Sequence, residues 1–303
     1  MDICNFLFYQ VIMSLKYHHA YDVLKFVYNE TDSCALVCVK SVSGGSMRSV
    51  GSLMAVKFNG DCAGYISNGC IDADIVYQSK SAISENKVRI IKYGKHSEYK
   101  DIKLPCGGSI ELIIIPNPNR KILGEAIEAL KSRKEFILKL NGYKHKYSPK
   151  LQLKLFGRDE ALYSLASLAL EVGFEVHIHS QDQSITNELK FSSFTHLSNP
   201  ENPVITIDDN WTAVVLLFHD HDWEINILKQ VAAGDAFYIG AMGSVQTHKL
   251  RLENLSSVGV SLSDISKIKG PIGLIPSMRD TNFLALSTLA AKMLSRSSFF
   301  SKK

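Results

Sequence analysis

Two short loops in the first third of the chain each set one thiol among glycines: Ser67-Asn68-Gly69-Cys70 and Pro105-Cys106-Gly107-Gly108. A thiolate is a soft donor suited to a soft metal centre, and glycine lets backbone come close to a ligand. Cys70 also precedes a helical pattern, and a helix N-terminus lowers a thiol pKa. Cys70 and Cys106 are therefore candidate metal ligands; the alternative for each is an incidental cysteine in a tight turn. The remaining cysteines are Cys4, Cys34, Cys38 and Cys62. No CxxC pair occurs, so zinc spacing is absent. Cys34 and Cys38 lie in an apolar run and read as small buried hydrophobes. No export signal is read at the start of the chain, so disulfides are not expected.

The second half carries a different set of candidates. Gly157-Arg158-Asp159-Glu160 follows an apolar run, where a dinucleotide site wants G-x-G-x-x-G. Only Gly157 fits. Asp159 and Glu160 put carboxylates where phosphates would lie, and position 180, where the ribose-binding acid belongs, is Ser180 with Asp182 two residues late. The expectation is a dinucleotide-type fold without an ordinary NAD(P) site. His219-Asp220-His221-Asp222 stands at the end of another strand pattern. It offers ligands for a metal or a proton; the alternative is a helix cap by Asp222 with Glu224 in the first turn. Tyr238-Ile239-Gly240-Ala241-Met242-Gly243-Ser244 runs from a strand through a glycine turn into a helix. Gly240 and Gly243 allow backbone N–H groups to converge on an anion, and Ser244 adds a hydroxyl. Arg279 can grip phosphate through two N–H groups, or pair with Asp280 at the surface.

The elements that must position these residues follow from periodicity and turn signals. In the first half, strands are expected at 34–42, 53–58, 61–66, 88–93, 110–115 and 135–140, with Asn59-Gly60 marking a hairpin. Helices are expected at 71–83 and 120–133. The polar, basic stretch 141–149 reads as a linker, and the domains are set at 1–145 and 146–303. The second domain then alternates: strand 151–156, helix 161–172, strand 174–179, strand 213–218, helix 223–233, strand 237–239, and helices 246–255 and 282–294. That alternation argues for a parallel sheet covered on both faces. The fold class is α/β: an N-terminal α+β domain with a mixed sheet, and a C-terminal Rossmann-like domain with a doubly wound parallel sheet.

A length of 303 residues suits two cores, and 46% hydrophobic with 21% charged residues fits a globular protein. A net charge of +4 is too mild to argue for nucleic acid. The densest basic stretch, 131–150, reads as a solvated helix and linker, or alternatively as a docking patch for an acidic partner. The apolar start, residues 3–15, falls short of the roughly 20 residues a membrane span needs. It is read with residues up to 27 as two packed helices, in a cytoplasmic protein without a membrane anchor.

The ordered set of motifs resembles the xanthine dehydrogenase accessory protein family, also called XdhC/CoxI, of which this chain reads as a divergent member. Gly44-Gly45-Ser46-Met47-Arg48 with Gly51 and Met54 is similar to the family's first glycine loop, with Met47 in place of its proline. Gly64-Tyr65-Ile66-Ser67-Asn68-Gly69-Cys70-Ile71-Asp72 and Cys106-Gly107-Gly108 with Glu111 match its two cysteine segments. Later matches are Thr212-Ala213-Val214-Val215 leading to His219-Asp220-His221, then Tyr238 to Ser244, and Gly270-Pro271-Ile272-Gly273-Leu274.

The resemblance implies a protein that does no catalysis. It binds the molybdenum cofactor, a molybdopterin, protects it, and helps insert it into xanthine dehydrogenase or a related molybdenum hydroxylase. A cysteine desulfurase is a further partner it implies, as is a second copy of the chain in a homodimer. Cys70 and Cys106 would face the metal. Arg48, Ser67, Gly69, Gly107, Gly108, Gly157, His219, Asp220, His221, Gly240, Gly243, Ser244 and Arg279 would complete the cofactor-binding set. Two other readings stand beside it: an NAD(P)-binding oxidoreductase, supported by fold alone, and a non-catalytic scaffold that has lost its ligand.

Overall fold

The computed structural model describes residues 19–45, 48–67, 69, 71–95, 97, 107–187, 191–203, 208–218, 222–275 and 278–295. It divides into two compact units, Met1–Pro149 and Lys150–Lys303. The first helix expected near the N-terminus lies outside the described residues.

In the first unit, α1 (Ala20–Asn29) precedes β1 (Cys34–Ser43), β2 (Leu53–Lys57), β3 (Cys62–Ala63) and α2 (Asp72–Glu85). There follow β4 (Arg89–Gly94), β5 (Ser109–Pro116), α3 (Arg120–Lys131), β6 (Phe136–Leu140) and β7 (Tyr143–Tyr147). The main sheet has the order β3-β2-β1-β5-β4. Every pairing in it is antiparallel, a more regular sheet than the mixed one expected. The reason is connectivity: except for β1 with β5, neighbouring strands are consecutive in the chain and joined by reversing connections rather than crossover helices.

β1 is the centre of this unit. Its alternate residues feed two cores, Cys34, Leu36 and Cys38 on one face and Ala35, Val37 and Val39 on the other. α1, α3 and the β6–β7 hairpin cover the first face, and α2 covers the second. Asn59-Gly60 makes the expected hairpin turn, with the Asp61 N–H donated to Asn59 Oδ1. The second unit begins after Pro149, four residues beyond the expected break, because 143–147 is a strand and not linker. Tyr143 and Tyr147 point into the core while Lys144 and Lys146 are exposed.

The second unit contains β8 (Gln152–Gly157), α4 (Glu160–Val172), β9 (Glu175–Ser180), β10 (Ser193–His196), β11 (Thr212–Leu217) and α5 (Glu224–Ala232). It continues with β12 (Tyr238–Ala241), α6 (Val245–Ser257), α7 (Leu262–Ile265), β13 (Ile268–Lys269) and α8 (Thr281–Ser295). The sheet order is β10-β9-β8-β11-β12-β13, with every pairing parallel. Numbered within the domain, this is the 3-2-1-4-5-6 order of dinucleotide-binding folds, with its switch point between β8 and β11. β11 reads Thr-Ala-Val-Val-Leu-Leu and is buried throughout, as a parallel strand covered on both faces must be. One face packs on α4 and α8, the other on α5 and α6.

Lys154 and His179 are among the polar side chains buried in this sheet. Lys154 on β8 is buried and ion-paired with Asp208. His179 on β9 stacks on Phe156 with ring centroids 4.3 Å apart. No described helix is long and apolar enough to cross a membrane.

Candidate functional site

The antiparallel register of the first unit gathers its glycine loops. Ser43 at the end of β1 and Gly94 at the end of β4 both pair with Ser109 at the start of β5. The loop after β1 and the loop before β5 therefore leave the sheet at one end. They touch backbone to backbone: a Cβ on Gly44 would sit 3.1 Å from the Gly108 Cα, and one on Gly108 would sit 2.4 Å from the Gly45 carbonyl oxygen. Glycine at these positions permits an approach that any side chain would block. Gly107 differs, since it has φ +65° and open space where a Cβ would be.

Arg48, four residues past Gly44, lays its guanidinium over the Tyr65 ring at 4.6 Å. Tyr65 belongs to the second motif, so three segments far apart in sequence meet in this unit: 43–51, 64–72 and 107–111. The hairpin β6–β7 buttresses the first of them. Tyr147 donates its hydroxyl to the Gly51 carbonyl at 2.8 Å and bonds to the Tyr143 hydroxyl. The His145 ring occupies the space a side chain at Gly51 would need.

The 64–72 loop is organised from within. The Asp72 carboxylate accepts from the N–H groups of Ile66 at 3.1 Å, Ser67 at 3.0 Å and Gly69 at 2.7 Å. Ser67 Oγ accepts from Ile71 N–H at 2.8 Å. These three converging amides hold the chain's own carboxylate. Ser67 thus shapes the turn, while Gly69 has φ +116° and nothing within 4 Å of its Cβ position. Glu111, the acid of the third motif, is held by Lys40 at 2.7 Å, whose hydrogen bond keeps its carboxyl below the usual range.

Cys70 and Cys106 lie outside the described residues; in the chain they adjoin Gly69 and Gly107. The described cysteines are buried structural groups. Burial pushes the thiols of Cys34 and Cys62 up to about 12, and that of Cys38 higher still. Among the described residues no group of three His, Cys, Asp or Glu side chains is placed to hold a metal.

In the second unit, Gly157 ends β8 at the switch point with φ +152°, and its Cβ position is 2.7 Å from the Leu217 carbonyl oxygen on β11. The two strand ends approach too closely for a side chain. Asp159 stands at the N-cap of α4 and Glu160 in its first turn. Past β9, the Asp182 N–H bonds to Ser180 Oγ and the Asp182 carboxylate caps the Ser184 N–H. Both polar groups near the ribose position are engaged in the local turn.

His219, Asp220 and His221 lie outside the described residues. The helix that follows is capped at Trp223 without a side-chain bond, so Asp222 does not fill the N-cap position expected for it. Glu224 instead turns inward and forms a bidentate pair with Arg251, at 3.0 and 2.9 Å. Arg251 also donates to the Met242 carbonyl at 2.6 Å. In the glycine turn, Ser244 is the N-cap of α6, accepting from Thr247 N–H. A Cβ at Gly243 would meet Thr247 at 3.0 Å, and one at Gly240 would meet Tyr238 and Ile272 below 3 Å. Arg279 is exposed, and Asp280 caps the start of α8 through the N–H groups of Asn282 and Phe283.

Sequence reasoning did not find the Arg48–Tyr65 contact, the Tyr147–Gly51 bond or the Glu224–Arg251 pair. The alternation Tyr143-Lys144-His145-Lys146-Tyr147 is the one signal that could have revealed the buttressing strand.

A two-unit α/β protein is thus defined: an antiparallel domain presenting three glycine loops at one sheet end, and a parallel domain of dinucleotide-binding topology that lacks the usual glycine fingerprint. Residues 28–94 match the XdhC and CoxI family, and residues 153–291 match the XdhC Rossmann domain. The molybdenum cofactor insertion chaperone PaoD of Escherichia coli (strain K12) is 32% identical over 275 residues, covering 84% of this chain and 81% of that protein. The chain belongs to the XdhC and CoxI family. A crystal structure of a xanthine dehydrogenase from Bacillus halodurans shares its fold, with a TM-score of 0.76 at 19% identity, covering 92% of this chain and 96% of that one.

Proposed function

We propose that this protein is a non-catalytic accessory protein that binds the molybdenum cofactor and delivers it to a molybdenum enzyme. One observation carries the reading: the three family motifs of the first unit meet through Gly44–Gly108 packing and Arg48–Tyr65 stacking. The relationship to a molybdenum cofactor insertion chaperone, over 84% of this chain, supports that cofactor as the ligand of the cluster.

The residues suit such a group. Gly69 and Gly107 leave the space above their backbones open, so a planar pterin can approach. Arg48 supplies positive charge, and Cys70 and Cys106, each beside one of those glycines, supply soft donors for the metal. Taken by itself, the second unit has in the turn Gly240–Ser244 and in Arg279 N–H groups and charge of the kind that suits a phosphate. Gly157 ends β8, and the segment His219-Asp220-His221 follows β11 in the chain; ligands bind at such strand ends in open parallel sheets. When bound, the cofactor brings the oxo-transfer chemistry of the client, and the accessory protein's part is to shield and orient it.

The client in this reading is xanthine dehydrogenase or a related molybdenum hydroxylase, with a cysteine desulfurase as a second partner, and the protein works as a cytoplasmic homodimer. The test is co-purification from cells that make the cofactor. Molybdenum by mass spectrometry and pterin fluorescence should both follow the protein in near-stoichiometric amount. Protein that carries neither overturns the reading.

A further inference from the structure

The glycine turn between β12 and α6 is pinned by a side chain that comes back to it from two helical turns further on. Arg251 projects toward the helix N-terminus, as helical side chains do. Its Nη2 donates to the Met242 carbonyl at 2.6 Å and to Glu224 Oε1 at 2.9 Å, and its Nε donates to Glu224 Oε2 at 3.0 Å. Both side chains are 2% exposed. The Met242 peptide is fixed on its other side as well, since its N–H donates to the Leu216 carbonyl of β11 at 2.9 Å. Gly243 follows with φ +140°, and its Cβ position lies 3.4 Å from Arg251 Nη2. Glu224 opens α5, the helix that follows β11.

We infer that Arg251 is a positioning residue. It locks the turn at the end of β12 to the first residue of the helix after β11, so that the N–H groups of Gly243 to Gln246 face one fixed direction. Ion pairing alone would serve for stability, but a buried pair is a poor stabiliser beside apolar residues of like size. What apolar residues cannot reproduce is the third bond, to the Met242 carbonyl. The fork geometry of guanidinium meets a carboxylate and a carbonyl at once, whereas a lysine ammonium has no such plane. The consequence for ligand binding rests on the cofactor reading above; the locking of the turn does not.

The test compares wild type with Glu224→Met/Arg251→Met, which removes both charges together, and with Arg251→Lys, which keeps the charge. Three quantities are read in the full chain: melting temperature, hydrogen exchange at the Met242 and Thr247 amides, and molybdenum and pterin content after co-purification. The double variant should melt close to wild type yet exchange faster at both amides. It should retain about tenfold less cofactor, the scale of one lost charge-assisted hydrogen bond. Arg251→Lys should fall between the two. Unchanged exchange in a folded double variant overturns the proposal, as does faster exchange with undiminished cofactor. If wild type itself carries no molybdenum, the cofactor reading falls, and the exchange data still decide whether Arg251 fixes the turn.

Discussion

Adjacent glycines at 107 and 108 should differ in how much stability alanine removes. At position 108 a methyl carbon would lie 2.4 Å from the Gly45 carbonyl oxygen and 2.8 Å from that of Ser43. Ordinary contact begins about 1 Å further out, so the whole 43–45 backbone must retreat. Forcing a methyl into a packed place costs about 1–3 kcal/mol, and the restricted unfolded chain gives back about 0.4–1 kcal/mol. The net loss is about 0–2.6 kcal/mol, or a fall of up to about 10 °C in melting temperature for a unit of this size. At position 107 the space is empty, and the cost is the left-handed backbone, φ +65°. That cost, about 1–2 kcal/mol, is about half offset by the same entropy gain, and no backbone has to retreat, so Gly107→Ala should lose less than Gly108→Ala. The assay is calorimetric melting of both variants beside molybdenum retention. Gly108→Ala should lose cofactor in step with displacement of the 43–45 loop, whereas Gly107→Ala should retain more. A Gly108→Ala protein as stable and as well loaded as Gly107→Ala would refute the argument that these loops are held together backbone to backbone.

Burial depresses the His179 imidazole from 6.5 to about 3, so it is neutral in the fold while the unfolded chain takes up a proton below 6.5. Its contribution is full above that pH and should shrink by about 2 kcal/mol on going from pH 6.5 to 5; His179→Phe, which keeps the stack on Phe156, should flatten this part of a urea-denaturation pH series. Alkylation with iodoacetamide at pH 8 should leave Cys34, Cys38 and Cys62 unmodified in the folded protein, because their thiols are held well above the usual range, and peptide mapping that finds them labelled would contradict their buried placement. Calorimetric titration with NAD or NADP should give no micromolar binding, since Ser180 and Asp182 are engaged in their own turn and Asp159 and Glu160 crowd the start of α4.

Much of this architecture is written locally. Strand and helix periods differ, so the alternation after Pro149 already called for a parallel sheet, and Gly157 and Asn59-Gly60 marked turns that the fold uses. The motif order also named the family, because each motif is a run of consecutive residues whose spacing survives without the fold. The short edge strands β10 and β13 were not legible, since they owe their conformation to the strands beside them and carry little pattern of their own. The strand β7 was hidden by its lysines, whose exposed charges mask the inward tyrosines.

Only tertiary structure decided which motifs share a place. Gly44 and Gly108 meet because β1 and β5 are antiparallel neighbours, and Arg48 reaches Tyr65 across a loop. It also decided that the amides of Ile66, Ser67 and Gly69 turn to Asp72 rather than to an outside anion. Glu224 and Arg251 stand 27 residues apart, each ordinary on its own helix, and become a clamp once neighbouring parallel strands bring their helices together. Contacts of that kind depend on register and crossing geometry, which no run of neighbouring residues encodes.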